Sequence, residues 1–335
     1  MQRVHVFVFC LIFVVLGAVA PDAVRAGLMP AGGDDGDTPR MHSLTYDAKA
    51  KRWVEAIPPP IGTAEGDLYV ARQLVGTGAY RKALSKLDQW DKQYAETDRY
   101  YPEALLVRAE ALIGQEKFDR AHAVLLAFLG EFGGMTLTSE ALRLEFIVAE
   151  AYLSGVKRRL LGLKLLSGED AALRILDDIA IDYPDQPLAV AAIKTKADYR
   201  FKKGDHALAE LEYARLLKEY PRSRYHQYAL SRTAESALAS FGGVDYDAAA
   251  LIEAEERYAE YRTRYPGAAQ REGVGLVLDG ISEQRAEKEF QIGRYYDRTD
   301  HLNSAIFYYR SVIANWPDSV AARKAQSRLE LIGAV

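Results

Sequence analysis

The chain has 335 residues, of which 49% are hydrophobic and 27% are charged, and its formal net charge is −4. This composition is sufficient for a large hydrophobic core, and the weakly negative charge argues against a nucleic-acid partner. The single cysteine, Cys10, lies in the apolar N-terminal segment. The rest of the chain therefore has no thiol for disulfides, cysteine–metal sites or cysteine nucleophiles.

Residues 1–26 have the pattern of a secretory signal peptide. Arg3 precedes a largely apolar run over residues 4–20, and small residues suited to cleavage end at Ala20 and at Ala26. Because the bulky Phe9 precedes Cys10, the sequence does not predict a lipid-attachment site there. We expect an exported protein, with an uncleaved membrane anchor as the alternative.

Residues 27–63 are predicted to form a flexible linker that contains a short hairpin. Its first part, residues 27–37, is rich in glycine and aspartate and cannot bury apolar surface. These aspartates lack the spacing and the closing glutamate of an EF-hand calcium loop. Residues 44–54 alternate apolar and polar side chains around a charged turn, which favours a small β-hairpin before the prolines at 58–60.

Residues 64–335 are predicted to form an all-α domain built from repeated helix hairpins. Two small residues recur 12 positions apart in five units: Ala71/Ala83, Ala109/Ala121, Ala197/Ala209, Ala237/Ala249 and Gly293/Ala305. Antiparallel helices approach closely only where both carry a small side chain, so each pair predicts one hairpin. Several units end in an aromatic residue followed by proline, as at Tyr220-Pro221 and Trp316-Pro317.

This pattern is typical of tetratricopeptide repeats. It predicts an all-α superhelix, or α-solenoid, of about six helix hairpins, with residues 319–332 as a C-terminal capping helix. We expect long helices over residues 246–265 and 268–298, and no strand after residue 64.

The third unit departs from the common spacing, because Ala149 and Ala172 are 23 positions apart. The insertion covers residues 157–168, and its first part, residues 157–166, is basic and rich in leucine. One interpretation is that these leucines lengthen a helix and pack on the solenoid. The other is that they contact a membrane surface or another protein.

The sequence contains none of the common catalytic motifs. It has no His-Glu-x-x-His, no Gly-x-Ser-x-Gly and no Gly-Lys-Ser/Thr phosphate loop. Gly76-Thr77-Gly78 is interpreted as a helix stop and not as part of a dinucleotide fingerprint. The histidines after residue 26 are not paired at metal-ligand spacing. We therefore predict a protein without enzymatic activity, cofactor or metal.

The candidate binding surface is the concave groove formed by the first helices of successive hairpins. Counting the small residue of each first helix as position 8, positions 5, 9 and 12 are predicted to face this groove. The side chains selected as protein-binding residues are Arg72, Glu110, Lys194, Asp198, Phe290 and Arg294. Charged and apolar groups in alternation suit an extended peptide segment. The alternative is that these are ordinary half-exposed helix positions.

The final repeats resemble those of BamD-type outer-membrane assembly factors. The similarity is carried by Ala286-Glu287-Lys288-Glu289, Gly293-Arg294-Tyr295-Tyr296, Ser304-Ala305-Ile306, Tyr309-Arg310-Ser311-Val312-Ile313 and Trp316-Pro317-Asp318-Ser319. The junctions Tyr220-Pro221-Arg222-Ser223 and Tyr265-Pro266 resemble the other repeat junctions of that family. The resemblance extends over about residues 65–333. That family is normally lipid-anchored through a cysteine just after the signal, and this chain has none there.

The resemblance implies a scaffold in the periplasm or at the periplasmic face of the bacterial outer membrane. Its early repeats would receive substrate segments, and its late repeats would dock on the subunit that inserts β-barrel proteins. One alternative is a periplasmic repeat protein that coordinates cell-wall synthesis or division with the envelope. Another is an enzyme or carbohydrate binder, which would require two carboxylates at a fixed separation in the groove.

Overall fold

A computed structural model describes residues 44–47, 52–55, 58–94, 96, 98–160, 163–243 and 248–334. The predictions for the signal peptide, for the linker over 27–37 and for the first two residues of the predicted helix over 246–265 lie outside these residues. The chain divides into two compact units, Met1–Val124 and Leu125–Val335, here called unit 1 and unit 2.

The described residues form fourteen α-helices and four short strands. The helices are α1 Ala64–Gly76, α2 Tyr80–Gln93, α3 Tyr101–Gly114, α4 Phe118–Phe132, α5 Thr138–Leu153, α6 Glu169–Asp182, α7 Pro187–Lys203, α8 His206–Glu219, α9 His226–Ala239, α10 Ala249–Arg264, α11 Pro266–Arg271, α12 Val274–Arg298, α13 Leu302–Asn315 and α14 Val320–Leu331. The strands are β1 Leu44–Asp47, β2 Arg52–Glu55, β3 Arg158–Leu160 and β4 Leu163–Leu166. The predicted tetratricopeptide-repeat fold is confirmed.

Two of the short strands form the hairpin that the sequence predicts before the first helix. β1 pairs antiparallel with β2, so that Leu44 lies opposite Glu55 and Asp47 lies opposite Arg52. The helices then begin at Ala64, where the side chain of Thr63 accepts a hydrogen bond from the Gly66 amide at 3.1 Å. This bond satisfies one of the free N–H groups of the first turn.

A buried carboxylate connects the first two helices of unit 1. Asp67 on α1 is 4% exposed and accepts hydrogen bonds from the Tyr94 hydroxyl and the Lys86 ammonium, both at 3.0 Å. Burial raises the pKa of Asp67, but the hydrogen bonds from Lys86, Gly62 and Tyr94 outweigh it and hold the pKa below its ordinary value. The carboxylate therefore stays charged and fixes α1 on α2.

Most of the predicted small residues of the hairpins are fully buried. The alanines with no exposed surface include Ala71, Ala83, Ala109, Ala121, Ala149, Ala172, Ala197, Ala209 and Ala305. In the last hairpin the contact requires glycine, because a Cβ atom on Gly293 would lie 2.8 Å from Cε1 of Tyr309. The small pairs thus set the separation of the paired helices.

The fifth pair is an exception, and the assignment of Ala249 is wrong. Ala249 is exposed and is the first residue of α10. The fully buried alanine of this helix is Ala254, which is 17 positions after Ala237. Ala254 also precedes the terminal Tyr265 by 11 positions, as Ala209 precedes Tyr220. The loop before α10 is therefore longer than in the regular units.

The prediction that the insertion of the third unit lengthens a helix is wrong, as is the prediction that no strand follows residue 64. α5 ends at Leu153, and β3 and β4 pair antiparallel with Arg158 opposite Leu166. The stretch Leu163-Lys164-Leu165 alternates with the period of a strand. Contact of residues 157–166 with a membrane stays a prediction.

The predicted helix over residues 268–298 is interrupted. α11 ends at Arg271, and α12 begins at Val274 after Gly273, whose φ of 70° is a left-handed conformation that favours glycine. At the C-terminus α14 covers the last hairpin, and Ala321, Ala325 and Leu329 pack in one core with Tyr309. The predicted capping helix is confirmed.

The close contact at Gly293 can be tested by adding a methyl group. We expect Gly293→Ala to destabilise the chain by about 1–3 kcal/mol, because Tyr309 would have to move within a packed core. Gly280→Ala is the matched control on the same helix, since an added Cβ at Gly280 meets nothing within 4 Å. That variant should gain up to about 1 kcal/mol from helix propensity.

Urea unfolding of both variants measures the difference. Equal stability of Gly293→Ala and the wild type would contradict the close-contact interpretation.

Candidate protein-binding surface

Two of the predicted binding residues, Lys194 and Asp198, lie together in unit 2. One oxygen of Asp198 accepts hydrogen bonds from the hydroxyls of Tyr213 at 2.6 Å and Tyr228 at 2.8 Å. The other oxygen accepts a hydrogen bond from the Lys194 ammonium at 2.6 Å. Since these residues belong to α7, α8 and α9, this Asp198 network joins one hairpin to the next.

Burial makes the tyrosines of the Asp198 network permanent donors. Tyr213 has no exposed surface, and burial followed by the Asp198 carboxylate raises its pKa above the ordinary value. Burial and the hydrogen bond to Asp198 also raise the pKa of Tyr228. Both hydroxyls therefore stay neutral and donate to the carboxylate over the physiological pH range.

The solvent side of the Asp198 network combines cations with aromatic rings. The Lys194 ammonium lies 4.5 Å from the centre of the Tyr228 ring. The Arg232 guanidinium lies 5.4 Å from the same ring and 4.8 Å from the ring of Phe201. We call these four residues the α7–α9 surface. Half-exposed cations on fixed rings can bind carboxylate oxygens of a peptide, while the rings contact its apolar side chains.

A related arrangement occurs in the last hairpin. Tyr309 is fully buried and donates its hydroxyl to Asp297 at 3.0 Å. The guanidinium of Arg328 on the capping helix donates to the same carboxylate oxygen at 3.0 Å. A buried tyrosine of the second helix thus meets an aspartate of the first helix in both hairpins.

The other predicted binding residues have different surroundings. Arg72 is exposed on α1 and forms an ion pair with Glu103 at 3.0 Å. Glu110 is half-buried on α3, and Arg294 is exposed on α12. Their role in binding stays a prediction.

The prediction that Phe290 faces the groove is wrong. Phe290 is 5% exposed, and its ring centre lies 5.5 Å from that of Tyr309. It packs in the core that includes α14. Position 5 is also buried at Leu68 and Leu106, with 2% and 5% exposure. This position therefore belongs to the core in these helices, and position 9 lies nearer the solvent.

An exposed aromatic patch on α12 and α13 was not selected from the sequence. Tyr296 and Tyr308 stack with ring centres 5.5 Å apart, and Tyr295 and Phe307 each contact one of them at about the same distance. Tyr295 is 55% exposed and Phe307 is 66% exposed. We call these four residues the C-terminal aromatic patch. The doublets Tyr295-Tyr296 and Tyr308-Tyr309 were the sequence signal for this patch. Adjacent side chains on a helix point in different directions, so the two tyrosines of a doublet cannot both be buried equally.

Both surfaces lie in the part of the chain that matches a known protein family. Residues 163–332, slightly more than half of the chain, match the model of the YfiO family, which is described as an outer membrane lipoprotein family. The chain belongs to the YfiO family. This finding confirms the resemblance to BamD-type factors. The α7–α9 surface and the C-terminal aromatic patch lie within the matched residues, whereas unit 1 lies outside them.

Several solved structures are similar to the chain. One is PilW, a widely conserved type IV pilus biogenesis factor, with 16% identity over 80% of this chain and 100% of PilW and a TM-score of 0.31. Another is a thermophilic tetratricopeptide-repeat protein of Thermus thermophilus, with 18% identity over 65% of this chain and 98% of that protein and a TM-score of 0.30. The comparison with curated proteins found no match.

Neither a membrane span nor a metal site is found in the described part of the chain. No helix there combines the length and hydrophobicity needed to cross a membrane. The same residues contain no group of three His, Cys, Asp or Glu side chains that could hold a metal ion.

Removing the central carboxylate tests the Asp198 network. We expect Asp198→Ala to lower the free energy of unfolding by about 2–3 kcal/mol, because the buried Tyr213 hydroxyl loses its acceptor. Glu140→Ala is the control, since it removes a carboxylate from a half-exposed ion pair with Arg143 and should cost less than about 1 kcal/mol. Chemical denaturation of both variants measures the two losses of unfolding free energy. Equal losses would show that Asp198 contributes no more than a surface carboxylate.

Alkaline pH tests the raised pKa of Tyr213. In the unfolded chain this hydroxyl ionises near its ordinary pKa of 10.0, while in the folded chain it stays neutral. The stability it contributes is therefore complete below pH 10.0 and declines above it, by about 1.4 kcal/mol per pH unit. Tyr213→Phe should lose stability more slowly than the wild type as the pH rises above 10.0. Parallel pH dependences would contradict this assignment.

Proposed function

We propose that the chain is a non-catalytic scaffold of the cell envelope that binds protein partners during assembly of outer-membrane β-barrel proteins. Membership of the YfiO family supports a role at the outer membrane. The observation that carries the proposal is the C-terminal aromatic patch, because exposed aromatic residues in a cluster are characteristic of binding hot spots.

The two surfaces of unit 2 have separate roles in this proposal. The C-terminal aromatic patch docks on the subunit that inserts β-barrels. The α7–α9 surface receives an extended peptide segment. Lys194 and the remaining donors of Arg232, whose Nη1 already pairs with Glu235 at 2.7 Å, hold the carboxylate groups of this segment. Asp198 acts indirectly, because its own oxygens already accept three hydrogen bonds and position Lys194 and Tyr228.

The chain acts at the periplasmic face of the outer membrane in this proposal. Docking on a partner that is itself embedded in the membrane accounts for its retention there. Arg72, Glu110 and Arg294 provide further contacts with peptide segments along the first helices of the repeats.

Affinity capture tests the proposal. The tagged chain is incubated with detergent-solubilised envelope of its own organism, and the bound proteins are identified by mass. The wild type should recover the β-barrel insertase, and Tyr295→Ala/Phe307→Ala should weaken this interaction by about 2 kcal/mol or more, roughly thirty-fold. Leu276→Ala is the matched control, since Leu276 is 79% exposed on α12 but outside the C-terminal aromatic patch.

Each result has a distinct meaning. If the insertase is retained equally by both variants, the C-terminal aromatic patch is not the docking surface. Recovery of cell-wall synthesis enzymes in place of the insertase would contradict the assembly role and favour coordination of the cell wall with the envelope.

A further inference from the structure

Unit 1 contains a polar pocket of about 360 Å³, outside the residues that match the YfiO family. It lies where α2, the end of α3 and the start of α4 meet. The polar residues that define it are Arg81, Ser85 and Asp88 of α2, Arg108 of α3, Gln115 and Lys117 of the following turn, and Arg120 of α4. Four cations therefore face a single carboxylate.

Most of this positive charge is not compensated within the described residues. Arg108 is neutralised, because it forms ion pairs with Asp88 at 2.7 Å and with Asp91 at 2.6 Å. The side chains of Arg81, Lys117 and Arg120 form no ion pair or hydrogen bond with any residue that the structure describes. Like charges gathered around one pocket repel each other, and this repulsion favours binding of an anion.

The start of α4 strengthens the positive potential. Lys117 immediately precedes the helix, and Arg120 lies in its first turn. The N-terminal end of a helix carries a partial positive charge, so cations are unfavourable there and anions are favourable. Asp119 in the same turn offsets part of the unfavourable effect of these two basic residues, and a bound anion would offset the rest.

The same pocket contains an unsatisfied hydrogen-bond donor. The side-chain nitrogen Nε2 of Gln115 is buried and has no hydrogen-bond partner among the described residues. A buried N–H group without an acceptor is unfavourable, and an oxygen of a bound anion would satisfy it. This observation is independent of the charge balance and indicates an acceptor oxygen, which a bound anion would supply.

We propose that this pocket binds a phosphate group. Three uncompensated cations and an amide donor match the charge of nearly −2 and the several acceptor oxygens of a phosphate monoester. A single carboxylate would carry half of that charge and fewer oxygens. The phosphate belongs either to a soluble phosphate ester or to the headgroup of a phosphorylated lipid.

Calorimetric titration of the purified chain with inorganic phosphate and with pyrophosphate tests the proposal. Arg81→Gln/Arg120→Gln should weaken binding at least about ten-fold, because each cation supplies a charge-assisted hydrogen bond. The matched control is Lys82→Gln/Lys92→Gln, which removes two exposed positive charges of the same unit outside the pocket. The control should bind like the wild type.

A thermal unfolding experiment separates binding from folding. Without phosphate, Arg81→Gln/Arg120→Gln should be at least as stable as the wild type, because the substitution relieves repulsion. With phosphate, only the wild type and the control should show a raised Tm.

Vesicle sedimentation distinguishes the two sources of the phosphate. Vesicles of phosphatidylcholine with phosphatidic acid present a phosphate monoester, and vesicles with phosphatidylglycerol present a phosphodiester. Binding to the former that depends on Arg81 and Arg120 supports a lipid headgroup, and binding of the soluble ions alone supports a phosphate ester. The proposal is overturned if no phosphate form binds, if both double variants bind equally, or if only an oligoglutamate peptide binds to the pocket.

Discussion

The close approach of paired helices at small side chains is the constraint on which the rest of the fold depends. An alanine or glycine on the first helix meets an alanine on the second, and at Gly293 even one methyl group would meet the Tyr309 ring at 2.8 Å. This contact fixes the register of the two helices. Register in turn determines which positions along each helix are buried, and it places Tyr213 and Tyr309 opposite the aspartates to which they donate.

The spacing of small residues predicted most of the hairpins, because close helix contact depends on side-chain size and the sequence gives the size of every side chain. It misplaced the fifth pair because residues 248–250 and 254 are all alanine, and loop length has no periodicity. The terminal aromatic residue is a better reference point, since counting back from Tyr265 reaches Ala254. The β3–β4 hairpin was missed because a short leucine-rich run is compatible with both helix and strand.

The binding surfaces were less predictable than the fold. Helix periodicity correctly predicted that Lys194 and Asp198 lie close together on one helix. It could not predict that α14 covers Phe290. The polar pocket of unit 1 collects side chains from three separate elements, and a repeat pattern carries no information about such a meeting. The tyrosine doublets were visible in the sequence, although only packing reveals that Tyr295 and Phe307 are the exposed rings of the C-terminal aromatic patch.

The replacement of leucine by tyrosine at one buried position has a mechanical consequence. The residue four after the small residue of the second helix is Leu87 in α2 and Leu176 in α6, but Tyr213 in α8 and Tyr309 in α13. A leucine contact has no preferred direction and does not itself resist sliding of the paired helices, so in the α1–α2 hairpin this resistance comes from the hydrogen bonds of Asp67. A tyrosine hydroxyl bonded to an aspartate resists such sliding. The α7–α8 and α12–α13 hairpins therefore resist sliding through the buried tyrosine itself.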